Sequence, residues 1–302
     1  VKQPHIVVVG SLNMDIVVSM NRMPQMGETV SGTTFHTISG GKGANQAVGC
    51  ARLGARVTLI GAVGQDAFGA QILDGLQAEG ILTDKIKQVQ HVPTGMANVL
   101  HTSEDNCIVI VAGANEHCTA DWVDEYEQVI GNADLLLVQL EIPLASVKRA
   151  MQIAHAASIP VILNPAPAQK LSSDILQYAD FITPNETEFD LLSEDLCDRN
   201  VDLQQRMILW NKAYNAELIV TRGKEGSSFI LNNSLHTVQA PLVQVVDTTG
   251  AGDAFNAGFS VACASGKTIM EAAQFAVKVA SKSVTKFGAQ AGMPSFEEIS
   301  IM

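Results

Sequence analysis

The chain lacks the marks of several large protein classes. No window of 18 or more apolar residues appears in its 302 residues, so no membrane span is expected. Its five cysteines (Cys50, Cys107, Cys118, Cys197, Cys263) are scattered, odd in number and free of any CxxC spacing. That pattern reads as reduced thiols in a cytoplasmic protein rather than a disulfide framework. Positive charge is scarce: 19 basic residues face 31 acidic ones, a formal net charge of −12. General nucleic-acid binding is therefore not expected, although a local cluster of donors can still hold a phosphate. Neither GxGxxG nor GxxxxGK[ST] occurs, so neither a dinucleotide fingerprint nor a Walker A loop is present. The seven histidines show no HExxH or similar spacing and are assigned no metal role. No internal repeat or low-complexity stretch stands out. The two Asn-x-Ser/Thr triplets, at Asn185 and Asn232, carry no meaning without secretion, and the start reads as a first strand rather than a signal peptide.

What is present is an apolar chain, 47% hydrophobic and only 17% charged, long enough to bury a large core. Short apolar runs at 5–10, 57–64, 134–141, 160–167, 181–186 and 217–223 read as strands. Helical spacing at 43–53, 68–81, 143–157 and about 252–265 alternates with them. Continuous apolar strands separated by helices predict an α/β fold with a mostly parallel central sheet covered on both faces. Residues 12–38 and 95–111 break this rhythm by alternating without a helix, the second with a hairpin turn near Glu104–Asn106. They are expected to form a small antiparallel sheet projecting from one edge, serving as a lid over a site, a dimer face, or both. Met20, Met23 and Met26 are expected to line it, because Pro24 and Gly27 rule out a helix there.

Three polar clusters fall at strand ends, where open parallel sheets bind ligands. The first is VDTTGAGDAFNAGF, 246–259. Gly250, Ala251 and Gly252 expose backbone N–H groups at what reads as a helix start, a place suited to an anion such as a phosphoryl group in transfer. Asp253 sits beside that place and could accept a proton from an attacking hydroxyl, or be no more than a favourable first-turn acid. Asp247 could hold a cation or fix the turn. The second cluster is SGGKGANQA, 39–47. There Gly40 and Gly41 allow close approach, Lys42 and Asn45 are donors, and Asn45 in an apolar helix start calls for a partner, either a polyol or local backbone. Asn13 and Asp15 offer further polyol partners, and Glu141 ends an apolar strand. The third is TPNETE, 183–188, whose Asn185, Glu186 and Glu188 are hard oxygen ligands suited to Mg²⁺, or an ordinary acidic helix start.

Taken together and in order, VVGSLNMD, GGKGANQAVGCARLGA, NPAP, TPNETE and DTTGAGDAFNAGF resemble the PfkB carbohydrate kinase family over nearly the whole chain. The resemblance implies one kinase domain over 1–302: a three-layer α/β fold with a small β-sheet lid, formed by about 12–38 and 94–112, that pairs in a homodimer. It implies ATP-dependent phosphorylation of the primary 5-hydroxyl of D-ribose, giving D-ribose 5-phosphate and ADP. A kinase for 2-deoxyribose, another small sugar or a nucleoside is the alternative. It assigns the sugar to Asn13, Asp15, Gly41, Lys42, Asn45 and Glu141. Asp253 becomes the base, and Gly250, Ala251 and Gly252 with the Asp253 amide form an anion hole. Asn185 and Glu188 fall in the phosphate and Mg²⁺ region, and Thr221, Gly223 and Gly226 in the nucleotide turn. Asp247 and the Thr249 carbonyl would hold an activating K⁺, completed by carbonyls in 284–289, namely Val284, Phe287 and Ala289. The tail KFGAQAGMPS, 286–295, departs from the family spacing at those last ligands. A sugar-binding module without chemistry would be signalled by an uncharged residue at 253 or a broken glycine turn, and neither is seen. A nicotinamide oxidoreductase would need GxGxxG where the chain reads GSLNMD. A glycoside hydrolase would not need an amide-lined phosphate site.

Overall fold

The computed structural model describes residues 3–102 and 106–301. In chain order it begins with β1 (His5–Val9), β2 (Asn13–Ser19), β3 (Thr34–Gly40), α1 (Lys42–Arg52), β4 (Arg56–Gly64), α2 (Ala67–Ala78), β5 (Ile86–Val89), β6 (Gly95–His101) and β7 (Asn106–Val111). A short 3₁₀ turn at Gly113–His117 leads to α3 (Ala120–Asp124), α4 (Glu127–Gly131), β8 (Leu135–Val138), α5 (Leu144–Ala156), β9 (Val161–Leu163), α6 (Ser173–Leu176), β10 (Phe181–Ile182) and α7 (Glu186–Leu192). The remainder is α8 (Leu203–Ala213), β11 (Glu217–Thr221), β12 (Ser227–Leu231), β13 (Ser234–Val238), α9 (Ala251–Ala264), α10 (Ile269–Ser283), α11 (Ala289–Gly292) and α12 (Phe296–Ser300).

Nine strands form the central sheet in the order β13-β12-β11-β10-β9-β8-β1-β4-β5. Pairing is parallel from β5 to β11, and antiparallel only for β12 and β13 at one edge. The period-two rule of a strand divides its side chains between two cores. Ile6 and Val8 of β1 enter one cluster with α1, α9 and α10, while Val7 and Val9 enter the other with α5 and α8. Both faces are thus covered, which is why the strands read as unbroken apolar runs.

The two irregular segments meet in a second, four-stranded sheet of order β3-β2-β6-β7. It is not the all-antiparallel sheet expected. β2 with β3 and β6 with β7 are antiparallel, but the central pair, β2 with β6, is parallel. Chain order accounts for this: β2 follows the carboxyl end of β1 and β6 the carboxyl end of β5, two strands that run parallel in the central sheet, so both leave the core in the same direction. Residues 104 and 105 of the expected hairpin turn lie outside the described residues.

Several expected strands end early for a chemical reason. The run at 134–141 is a strand only to Val138, because Gln139 turns its amide into the core and Leu140 N–H donates to Ala166. The run at 160–167 is a strand only to Leu163, and that at 181–186 only to Ile182, with Asn185 already capping a helix. The β12–β13 hairpin was not expected. Its turn holds Asn232 and Asn233 at φ 52° and 60°, the left-handed pair that a two-residue hairpin loop needs. Of the three methionines, Met20 is buried and Met26 fully exposed. All five cysteines are free, with Cys50 and Cys118 buried and Cys107 exposed. No helix among the described residues is long and apolar enough to cross a membrane.

Candidate active site

The carboxyl ends of β1, β8, β9, β10 and β11 share one rim, and α1 and α9 begin above it. Asp253 lies in the first turn of α9 and is buried. Its Oδ2 accepts from Asn45 Nδ2 at 2.9 Å and its Oδ1 from Gln46 Nε2 at 2.9 Å, both from the first turns of α1. Asn45 is therefore not tied to local backbone. Its Oδ1 accepts from Gln290 Nε2 of α11 at 3.1 Å.

Gly250 caps α9 in the left-handed region, φ 78° and ψ 4°, which a side chain would strain; a Cβ there would also stand 2.7 Å from that of Ala289. The turn folds the Ala251 N–H back onto the Thr248 carbonyl at 3.2 Å. Among the described residues, the N–H groups of Gly252 and Asp253 donate to no protein acceptor, and no heavy atom stands within 4 Å of where a Gly252 Cβ would be. Two N–H donors without a protein acceptor thus stand at the positive end of a 14-residue helix, beside the Asp253 carboxylate.

The other expected sugar residues gather nearby. Glu141 Oε2 accepts from Ser11 Oγ at 2.5 Å and from the Lys42 N–H at 3.0 Å. Gly41 caps α1 at φ 87°. Asn13, at the head of β2, accepts from Asn115 Nδ2 at 2.7 Å. Asp15 is half-buried, and burial, followed by the nearby Glu141 and Asp253 carboxylates, pushes its carboxyl up to about 7. Burial works against the Lys42 ammonium, but Asp253, Glu141 and Glu188 together outweigh it and hold the group above its ordinary value.

Sequence reading gave no role to Ser11 or Asn164, which lie in polar strand-end turns, and missed Gln46, Asn115 and Gln290 here. The available signal was their residue type: Gln139 stands alone among apolar neighbours in β8 and its extension, and Gln46 and Asn164 lie inside motifs already singled out.

Where the resemblance puts the phosphates, Asn185 and Glu188 form a reciprocal capping box at the start of α7: Asn185 Oδ1 accepts the Glu188 N–H and Glu188 Oε2 accepts the Asn185 N–H, each at 2.8 Å. The ordinary helix-start reading therefore holds for both. Yet Glu188 also reaches the site: burial raises its carboxyl, the Asn185 N–H and Lys42 pull it down, and Asp253 raises it again. Glu186 pairs instead with Arg222 at 3.3 Å. Thr221 N–H donates to Pro184 O at 2.8 Å, which docks the β11 turn beside Asn185. Gly223 and Gly226 take φ 52° and 87°, and a Cβ on Gly226 would meet Val238 O at 1.9 Å, so this turn lies hard against the end of β13. From there a cavity of about 840 Å³ runs along Val238–Pro241, Val261, Gln274 and Val277.

The loop before α9 is fixed by Asp247. Its Oδ1 accepts the Thr249 N–H at 2.9 Å and its Oδ2 the Gly288 N–H at 2.8 Å. Partial burial raises its carboxyl, but these donors and the charge of His101 outweigh that and hold it below the usual range. The Val284 carbonyl accepts both the Val246 and Asp247 N–H groups, and Ala289 opens α11 against Gly250. Phe287 lies exposed between them. Among the described residues no group of three or more His, Cys, Asp or Glu could hold a metal.

A pfkB family carbohydrate kinase profile matches residues 3–295. The chain is 43% identical over 295 residues to a ribokinase of Bacillus subtilis, covering 98% of each chain. It is 34% identical to a deoxyribokinase of Salmonella typhimurium, covering 97% of this chain and 96% of that one. Among solved structures, Arabidopsis thaliana ribokinase complexed with ribose and ATP superposes with a TM-score of 0.91 at 34% identity, covering 99% of this chain and 98% of that one. The resemblance read from the motifs thus holds over the whole length, ribokinases included, and the α/β sheet with its smaller companion is the ribokinase-like architecture.

Proposed function

The chain belongs to the pfkB family of carbohydrate kinases, and we propose that within it the chain transfers the γ-phosphoryl group of ATP to the primary 5-hydroxyl of D-ribose, giving D-ribose 5-phosphate and ADP. The observation that carries this reading is the juxtaposition at the start of α9: a buried carboxylate fixed by two amides, next to two open N–H donors. Asp253 takes the proton of the attacking hydroxyl as the oxygen closes on phosphorus. The Gly252 and Asp253 N–H groups, with the Gly250–Ala251 turn that aims them, stabilise charge on the migrating phosphoryl oxygens. Asn13, Asp15, Gly41, Lys42, Asn45 and Glu141 surround the sugar with acceptors and donors matched to a polyol, and the sheet of β2, β3, β6 and β7 is the lid over it.

The triphosphate lies between the α9 start and the Asn185–Glu188 corner, with Thr221, Gly223 and Gly226 beneath it. Val261, eight residues along α9 from Asp253, lies about 12 Å away at 1.5 Å per residue, a distance a nucleotide spans. The apolar cavity there suits a purine. Three carboxylates (Glu141, Glu188, Asp253) face one lysine in this cleft, with the Asp15 carboxyl beside two of them, so a polyanion needs a cation with it. Glu188, with Asn185, fits the sparse protein contribution that Mg²⁺ takes when phosphates supply its other oxygens. Mg²⁺ there would neutralise charge on the β- and γ-phosphates. K⁺ would be held by Asp247, kept anionic, and by the Thr249 carbonyl, with Val284, Phe287 and Ala289 as further carbonyl donors; its role is to firm the loop that leads into α9. The exposed edge strand β7, where four consecutive residues from Ile108 to Val111 are each about half exposed, supports pairing of two lids in a homodimer.

The deciding experiment is an ATP-coupled assay against ribose, 2-deoxyribose, fructose and nucleosides, comparing kcat/KM. Ribose is expected to lead. A higher value for 2-deoxyribose would move the assignment to the activity named for the Salmonella relative. Asp253→Asn is expected to retain the fold and ribose binding while turnover falls at least about 100-fold, the loss expected for a positioned base. Turnover near the parent level would remove Asp253 from the reaction.

A further inference from the structure

Beneath the site, buried polar side chains form one continuous string. Gln46 follows Asn45 on α1 and is wholly buried. Its Nε2 donates to Asp253 Oδ1 at 2.9 Å and to Asn164 Oδ1 at 3.0 Å, and its Oε1 accepts from Gln139 Nε2 at 2.6 Å. Asn164 donates onward to the Thr183 carbonyl at 3.2 Å. The Thr183 hydroxyl donates to Asn256 Oδ1 at 2.6 Å, and Asn256 Nδ2 donates to the Gly252 carbonyl at 2.9 Å. The string leaves the end of β8, passes the ends of β9 and β10, and returns to the first turn of α9. It grips that turn twice, at the Asp253 carboxylate and at the Gly252 carbonyl.

The direction of the Gln46 amide is determined. Both hydrogens of Nε2 go to acceptors and Oε1 meets a donor; the reversed amide would set oxygen against two oxygens and an NH₂ group against another. Gln139 supplies the donor that enforces this, although its own Oε1 is buried with no partner. An apolar side chain at 139 would avoid that unpaired oxygen but would leave the buried Gln46 Oε1 without its donor, so the amide at 139 is tied to the one at 46.

We propose that Gln46 is a positioning residue for phosphoryl transfer: its amide, oriented by Gln139, fixes the rotation of the Asp253 carboxylate so that the lone pairs left free by Asn45 and Gln46 face the sugar hydroxyl. This rests on the reading of Asp253 as the base. Lys42 on α1, Asp15 on β2 and Glu188 on α7 also act on Asp253 through their charges, and none is altered by the test.

Gln46→Glu keeps the shape of the side chain and replaces the donor by an acceptor; Gln46→Met removes the amide at similar volume. Both are expected to lower kcat by about 10- to 100-fold while KM for ribose moves less than about threefold, the split that misplacing a catalytic group produces. In Gln46→Glu the acid limb of the kcat profile also moves up by about one pH unit, since two carboxyls in contact share a proton. Ribose binding by calorimetry shows that each variant is folded. Gln139→Met leaves every group touching Asp253 in place and is expected to show the same split with about a tenfold loss; it decides the matter should neither Gln46 variant fold. Parent-like kcat in the folded variants, or KM rising in proportion to the loss, overturns the proposal. Asp253→Asn, assayed alongside, separates the two readings. If it is active, the base assignment fails and this inference with it. If it is inactive while the Gln46 and Gln139 variants are parent-like, only this inference fails.

Discussion

At Asp15 a carboxyl stands in a place that opposes its charge. Its ordinary value is 3.8, and in the fold it is pushed up to about 7. The folded chain therefore holds a proton that the unfolded chain has released. The stability this linkage supplies is fully present below about pH 4 and is lost as pH rises through about 7, up to roughly 4 kcal/mol by the free-energy equivalent of the shift. Asp15→Asn should remove that slope, making the protein more stable than the parent at pH 8 but not at pH 4, while KM for the sugar rises. Urea unfolding of both proteins at the two pH values checks it; equal slopes would contradict the assignment. Residues of this kind were only half legible in the sequence. Asp15, Asn45 and Asp253 stand out as polar groups in apolar or glycine-rich settings. That Asn45 bonds Asp253 was not legible, since the contact joins residues 208 positions apart. Gln46 and Asn164 lay in quoted motifs, but a glutamine or asparagine announces its partner only once the fold supplies one.

At the scale of elements, the apolar runs located the strands and the 3.6-residue spacing located α1, α2, α5 and α9 to within about three residues at each end. Strand ends were misread where a hydrogen bond outside the sheet competes for the backbone, as after Val138 and Leu163. The β12–β13 hairpin escaped because its residues are short of strong alternation, although its Asn-Asn turn was readable. The parallel β2–β6 pair escaped because alternation reports which face is buried and says nothing of direction. The loop before α9 gives the prediction that belongs here. Among the described residues, Asp247 is the side chain that hydrogen-bonds it to the segment after α10, through Gly288 N–H. K⁺ is expected to raise turnover over tetramethylammonium at equal ionic strength, and Asp247→Ala to abolish that difference and slow the reaction. Equal parent rates in the two salts would exclude a K⁺ role at this loop.

At the scale of the whole molecule, the small sheet has two edge strands, β3 and β7. Ile108, Val109, Ile110 and Val111 are 52%, 57%, 51% and 49% exposed, and Phe35 on the opposite edge strand 61%. Val109→Glu places a charge in the middle of β7 and is expected to give a monomer with an unchanged thermal midpoint and a higher KM for the sugar. Sedimentation velocity and the sugar titration read the two effects; a variant that sediments like the parent would rule out this edge as the dimer contact.

The parallel pairing of β2 with β6 bears on how the protein is made. Asn13 partners Gly95, and β3, α1, β4, α2 and β5 are all synthesised between them. On the ribosome, β2 emerges with only β3 to pair with, and it waits with its other edge bare until β6 has left the exit tunnel. Such distant pairings close late and slowly. The head of β2 thus stays half-paired until about the first third of the chain has been made, and nascent chains stalled before residue 95 should be captured by chaperones that recognise unpaired strands.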